Sequence, residues 1–228
     1  MIDAALDAVR ERLSRAAERA GRRAEDVTLV GVSKTQPVER VRAAFLAGLA
    51  DLGENKVQEA EGKIEALGDL RPRLRWHLVG HLQTNKARRA AALFDLIHSL
   101  DSIALATRLE HAAAELRRSL DVLVQVDLAG EAGKHGVDEV HLFALLEAVR
   151  GLKSVRATGL MILPPQSHDP EASRPYFRKL RGLRDRARKD GLLLGEHLSM
   201  GMSDDFELAV EEGATLVRVG TALFGTRG

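Results

Sequence analysis

The chain has 228 residues, 45% of them hydrophobic, with 34 Lys+Arg against 33 Asp+Glu, a formal net charge of +1 and no cysteine. The length admits one large domain or two small ones, the balanced charge removes the electrostatic case for bulk nucleic-acid or membrane-surface binding, and the missing cysteines exclude disulfides, thiolate metal sites and cysteine nucleophiles. No stretch approaches the ~20 apolar residues of a membrane-spanning helix, and residues 1–23 are amphipathic with acids among their arginines, unlike a signal peptide; a cytoplasmic protein is expected.

Ile2, Leu6, Val9 and Leu13 recur at helical spacing and predict a helix that ends near Gly21, ahead of the first strand. Residues 27–34 form a short strand rich in β-branched side chains, with Lys34 at its C-terminal end. Thr28, Val30, Val32 and Lys34 have the same parity and so share one face. Pro37 opens a helix that stops at Gly48. A strand at 51–55, a helix at 56–67, a strand at 75–80 and an Ala- and Arg-rich helix ending at Leu93 follow. The next strand is 96–100, then a helical region at 101–119. Residues 122–127 are the clearest strand, followed by a glycine-containing loop at 130–136 and a helix at 138–149. A strand at 155–163 ends at Pro164-Pro165, and a long charged helix covers 171–189. The chain closes with a strand at 196–200, a helix at 204–212, a strand at 215–219 and the run 220–225.

Eight strands alternating with helices imply parallel strands joined by right-handed crossovers. Eight such units in this length predict an α/β fold, one (β/α)₈ TIM barrel over residues 1–228 with an extra N-terminal helix, near the lower size limit of that fold. The competing open doubly wound sheet lacks support, because no G-x-G-x-x-G follows the first strand. In a barrel, functional residues belong at the C-terminal ends of the strands.

Two strand ends carry chemistry. A lysine amine at the mouth of an apolar pocket loses solvation and can form a Schiff base with an aldehyde, although a strand-end lysine can also simply reach solvent. The last strand ends in Arg218-Val219-Gly220-Thr221. Glycine lets the backbone approach a ligand, and a helix start beyond it presents free N–H groups to an anion, as barrels often do after strands seven and eight. Of the two serines in Ser199-Met200-Gly201-Met202-Ser203, Ser199 is taken as a phosphate ligand and Ser203 as an N-cap for the following helix. An aldehyde-reactive lysine facing a phosphate cup across a barrel mouth suits pyridoxal 5′-phosphate (PLP). His77, His81 and His98 form no recognisable zinc pattern, so no metal is expected. The basic runs 85–89 and 178–188 are interspersed with apolar residues at helical spacing and read as solvated helix faces, not as a nucleic-acid surface.

Val32-Ser33-Lys34-Thr35, Gly53-Glu54-Asn55, the run from Trp76 to Lys86 (W-H-x-x-G-x-L-Q-x-N-K), Leu198 to Asp205 and Val217 to Gly225 together resemble the YggS-like PLP homeostasis proteins. The resemblance spans nearly the whole chain in the expected order. It implies a single barrel like the N-terminal domain of alanine racemase, PLP as cofactor, and a part in regulating PLP supply without robust catalysis. Carried over, Lys34 resembles the Schiff-base lysine; Ser199, Gly220 and Thr221 resemble phosphate ligands; Arg218 resembles the arginine that faces the pyridine nitrogen. Asn55 borders the ring in this reading, or else caps the helix that follows it. PLP-dependent apoenzymes would be the recipients, and a lone barrel is compatible with a monomer. The alternative is a PLP-dependent racemase-like enzyme. Racemisation needs bases on both faces of the substrate Cα–H. Tyr176, the one tyrosine, falls in the wrong segment, and no second domain is expected to supply another, so the carrier is preferred.

Overall fold

The structure is a computed structural model and describes residues 2–131 and 135–225. Its strands, in chain order, are β1 (Thr28–Val32), β2 (Asp51–Glu54), β3 (Arg75–Leu78), β4 (Leu96–Leu100), β5 (Leu120–Asp127), β6 (Val137–Asp138), β7 (Val155–Ile162), β8 (His197–Ser199) and β9 (Leu216–Val219). Its α-helices are α1 (Ile2–Arg19), α2 (Val38–Leu46), α3 (Val57–Ala66), α4 (Ala87–Leu93), α5 (Ile103–Glu115), α6 (Glu139–Arg150), α7 (Arg174–Lys189), α8 (Phe206–Glu211) and α9 (Thr221–Phe224). All pairings are parallel. β1 pairs with β2 on one side and β9 on the other, and β4 pairs with β5, so eight strands close into the expected TIM barrel. The short β6 sits outside that ring, adding Val137 and Asp138 to the end of β5.

Period-two alternation sorts the strand residues into two cores. Outward residues such as Leu52, Trp76, Ile97, Val122, Leu160 and Val217 join the helices in the main apolar cluster, while Val30, Leu96, Leu123, Met161 and Leu216 form a small cluster of their own inside the ring. The next inward positions toward the strand C-termini change character. His98 follows Leu96, Gln125 follows Leu123 and Arg218 follows Leu216, and all three are buried. The barrel is therefore floored with apolar side chains and lined with polar ones beneath its mouth.

α1 buries Leu6, Val9, Leu13, Ala16 and Ala17. It lies against α8, α9 and α2, the helices flanking the junction of β9 with β1. Several boundaries differ from the sequence reading. β1 stops at Val32, so Lys34 lies in the turn beyond the strand. Pro37 occupies the N-cap position of α2, just outside the helix. β6 was not expected, because two residues carry no detectable periodicity. Residues 132–134 of the expected glycine loop lie outside the described residues. The helix expected at 204–212 begins at Phe206 with Asp205 as N-cap. Asp205 turns its carboxylate back to accept the Met202 N–H at 2.7 Å, so Ser203 is not the cap and its hydroxyl is free for other work.

Candidate functional site

The C-terminal ends of the strands open into a cavity of about 940 Å³. Lys34, Asn55, Arg218, Gly220 and Thr221 line it. Ser199 does not. It is fully buried below the cavity, while Ser203, four residues on, reaches the wall.

β1 delivers Lys34. Val32 and Lys34 continue its inward face and both line the cavity. The backbone then turns sharply: Thr35 adopts φ 63°, a left-handed conformation costly for a β-branched residue. A buried ion cluster holds that turn. Lys63, 5% exposed, donates to the Ser33 carbonyl at 2.5 Å, to Glu54 at 2.7 Å and to Glu59 at 2.8 Å. Glu59 accepts the Thr35 N–H, and the Ser33 hydroxyl donates to Glu54 at 2.6 Å. Burial raises the Glu54 carboxyl above its usual range, against the hydrogen bonds from Lys63 and Ser33. Burial also works to raise Glu59, but there the hydrogen bonds from Lys63 and the Thr35 amide win and hold it low. The Lys34 amine itself makes no hydrogen bond or ion pair among the described residues. It stands free in the cavity wall on a clamped backbone.

Arg218 enters from β9 and is 3% exposed. Nη1 donates to Ser199 Oγ at 2.6 Å and Nη2 to the Ile162 carbonyl at 2.9 Å. Among the described residues no carboxylate lies within ion-pair distance. Burial pulls its pKa down to about 10, with the Asp205 charge working the other way, so the guanidinium remains cationic at neutral pH. A buried cation with so few partners leaves N–H groups for an acceptor in the cavity.

At the far wall, β9 gives way to the one-turn helix α9. Ser203 Oγ accepts the Gly220 N–H at 3.3 Å and the Ala222 N–H at 3.2 Å. A hydroxyl and two amides thus meet where an anion would sit. A Cβ placed on Gly220 would lie 3.4 Å from the Val32 carbonyl oxygen and 3.6 Å from Val32 Cβ. That is ordinary contact, so the fold has room for an alanine there. Asn55 follows β2, and Lys56 takes the N-cap position of α3, so Asn55 is a wall residue and not a cap.

The sequence reading missed Gln125, Asp127 and His135, which also line the cavity. Gln125 and Asp127 share the inward parity of β5, a signal that could have found them; His135, on a loop, carries none. His81 and His135 stack at 3.5 Å with ring planes 7° apart, and His81 Nδ1 lies 3.4 Å from Asp101. The donor atoms of these three residues fall within 4.8 Å of one another, but parallel imidazole planes do not aim their lone pairs at a common point. His77 and His98 lie elsewhere, sealed inside the barrel.

Comparison with known proteins identifies the family. The family model "Alanine racemase, N-terminal domain" matches residues 4–228. The "Pyridoxal phosphate homeostasis protein" of Aquifex aeolicus is 48% identical over 222 residues, 97% of this chain and 96% of that protein. That of Pseudomonas aeruginosa is 46% identical over 220 residues, 96% of this chain and 93% of its own. PipY of Synechococcus elongatus, solved with PLP bound, superposes with a TM-score of 0.87 at 42% identity, covering 99% of this chain and 100% of that one. The alanine racemase of Corynebacterium glutamicum, at 19% identity and a TM-score of 0.66, shares the fold, with 97% of this chain matching 62% of that longer one.

The buried imidazole of His98 generates a pH prediction. Burial holds its pKa well below the usual 6.5, helped by the nearby His77 and Arg218. The unfolded chain binds a proton there near pH 6.5 and the native state does not, so stability falls as pH drops below that value. One such proton contributes a slope of about 1.4 kcal/mol per pH unit. Urea unfolding between pH 7 and 5.5 should be steeper in pH for the native sequence than for His98→Asn. Equal slopes would show that His98 takes up its proton in the folded state.

Proposed function

The chain belongs to the alanine racemase N-terminal domain family and, within it, to the pyridoxal phosphate homeostasis proteins, and from that premise we propose that it binds PLP in the barrel-mouth cavity, holds it on Lys34 and serves PLP supply without catalysing an amino-acid reaction. The observation that carries this reading is one cavity that joins a lysine amine unpaired among the described residues to a buried arginine that has no carboxylate partner among them. The residues present fit the cofactor. The volume exceeds what PLP needs, and the Gly220 wall stays open because it lacks a Cβ. When bound, PLP supplies an aldehyde and an electron-withdrawing ring. Lys34 offers the amine for a Schiff base. Ser203, Gly220 and Thr221 receive the phosphate; Ser199 is too deep to do so. Asn55 borders the ring.

Arg218 bears on catalysis. A guanidinium donates protons and accepts none, so an arginine facing the ring nitrogen leaves that nitrogen unprotonated and the ring a weaker electron sink. No tyrosine lines the cavity among the described residues; Tyr176 packs on α7 against the main core. A racemase reading would have to recruit His81 or His135, which are stacked on each other at the rim. The arginine rows do not favour nucleic acid either, since Arg88, Arg89, Arg178 and Arg188 pair with Glu115, Glu61, Glu212 and Glu196. Among the described residues no helix is long and apolar enough to cross a membrane. The recipients of the cofactor in this reading are PLP-dependent apoenzymes.

Three outcomes are expected. Borohydride reduction of PLP-loaded protein, followed by peptide mapping, should place the pyridoxyl group on Lys34, and Lys34→Ala should lose the visible absorbance of bound PLP while keeping its fold; a label on another lysine would refute the assignment. Gly220→Ala should fold normally and weaken PLP by roughly tenfold more than it weakens pyridoxal, which has no phosphate to lose; equal losses would remove the phosphate from this wall. PLP-loaded protein incubated with L-alanine in deuterated water should show no rapid Cα exchange and no D-enantiomer. Lys34-dependent exchange would turn the reading to an enzyme.

A further inference from the structure

The cofactor reading uses Arg218 but leaves unexplained why so many polar groups are buried beneath it. His77, His98 and Ser199 are each 0% exposed in the barrel interior, where apolar side chains would pack without desolvation cost. They are not scattered. Arg218 Nη1 lies 2.6 Å from Ser199 Oγ. Ser199 Oγ lies 2.8 Å from His98 Nδ1, His98 Nε2 3.0 Å from His77 Nδ1, and His77 Nε2 2.9 Å from Asp51 Oδ1. The five side chains come from β9, β8, β4, β3 and β2 and form one unbroken line.

The direction of that line follows from its upper end. Arginine has no lone pair to accept with, so it must donate to Ser199. Ser199 has one proton, and the acceptor within reach is His98 Nδ1. His98 is neutral, held so by burial, and therefore carries its proton on Nε2 and donates to His77 Nδ1. His77 then carries its proton on Nε2 and donates to the Asp51 carboxylate. Every donor meets an acceptor in this order. In the reverse order Ser199 would receive two protons and its own would have no partner.

We propose that Ser199, His98, His77 and Asp51 form a one-way hydrogen-bond relay that fixes the orientation of Arg218 toward the ring nitrogen of the bound cofactor, ending on a carboxylate at the opposite mouth of the barrel. These four are positioning residues. Asp51 opens β2 while Asn55, beyond its other end, lines the cavity, so the relay ends about 13 Å along the strand from the cavity wall at Asn55. Asp51 is 19% exposed at its side chain, and Arg75 Nη1 lies 3.6 Å from it, which keeps the terminal charge in place. A cation that lacks a direct carboxylate partner among the described residues is thereby ordered by a distant one through dipoles that all point the same way. This inference rests on the PLP reading for the ligand it serves, but its first test uses no ligand.

Long-range ¹H–¹⁵N spectra of the unliganded protein at pH 7 should show both His77 and His98 protonated on Nε2. A proton on Nδ1 of either ring overturns the relay. PLP labelled with ¹⁵N at the ring nitrogen, bound to the full chain, supplies the second readout. Its resonance should move in Ser199→Ala and in the remote Asp51→Ala, and return toward the native position in Ser199→Thr, which restores the hydroxyl. Ser199→Ala should also weaken PLP by roughly tenfold to hundredfold, the range for one lost hydrogen bond to a charged group. A ring-nitrogen signal unmoved in Ser199→Ala and Asp51→Ala would show the buried groups to be structural and refute their positioning role. If the native protein fails to attach PLP at Lys34, the cofactor reading falls, and the tautomers alone then decide whether the relay orders Arg218.

Discussion

A guanidinium sealed inside a parallel barrel is the constraint that orders the upper half of this molecule. Desolvation makes such a cation expensive unless nearby groups accept its protons. Arg218 finds a carbonyl on β7 and a hydroxyl on β8, and no carboxylate at ion-pair distance among the described residues. The polar layer under the mouth follows from this. Ser199 cannot be apolar, because it must accept from Arg218. His98 cannot be apolar, because it must take the proton Ser199 has left. The apolar cluster of Val30, Leu96, Leu123, Met161 and Leu216 shares the barrel interior with that line, His77 lying in register with Leu96.

The opposite wall obeys a second constraint, the left-handed turn at Thr35. A strained residue persists where its surroundings over-determine it. Here they do so with a buried lysine and two glutamates whose hydrogen bonds converge on the backbone of Ser33 and Thr35. Buried ion clusters add little net stability but are costly to break. The cluster therefore acts as a clamp, keeping the Lys34 backbone still while its side chain has no bond of its own among the described residues. Lys34 and Arg218 thus face one cavity from walls held in different ways, one by charge and one by a line of dipoles.

The fold was largely legible in the chain. Eight apolar runs separated by helical patterns leave few topologies once crossovers must be right-handed, and the cavity-lining positions of Lys34, Asn55, Arg218, Gly220 and Thr221 follow from strand ends lying at the mouth. The roles of the two serines were not legible. Ser199 and Ser203 differ by four residues in a segment that leaves the strand between them, so parity cannot say which one sinks and which one surfaces. His77 and His98 were equally opaque, since their partners lie on strands 21 or more residues away.

By itself the sequence determined the barrel, its N-terminal helix and the family, because period-two and helical periodicity and a long specific motif are local properties of the chain. Only the tertiary structure decided that Ser203 caps the wall while Ser199 supports Arg218, that Asp205 rather than Ser203 starts α8, and that Asp51 is connected to the far end of the barrel. The reason is physical. Hydrogen-bond partners across a closed sheet are set by the register between strands and by the stagger of the barrel, and neither is written in any one segment.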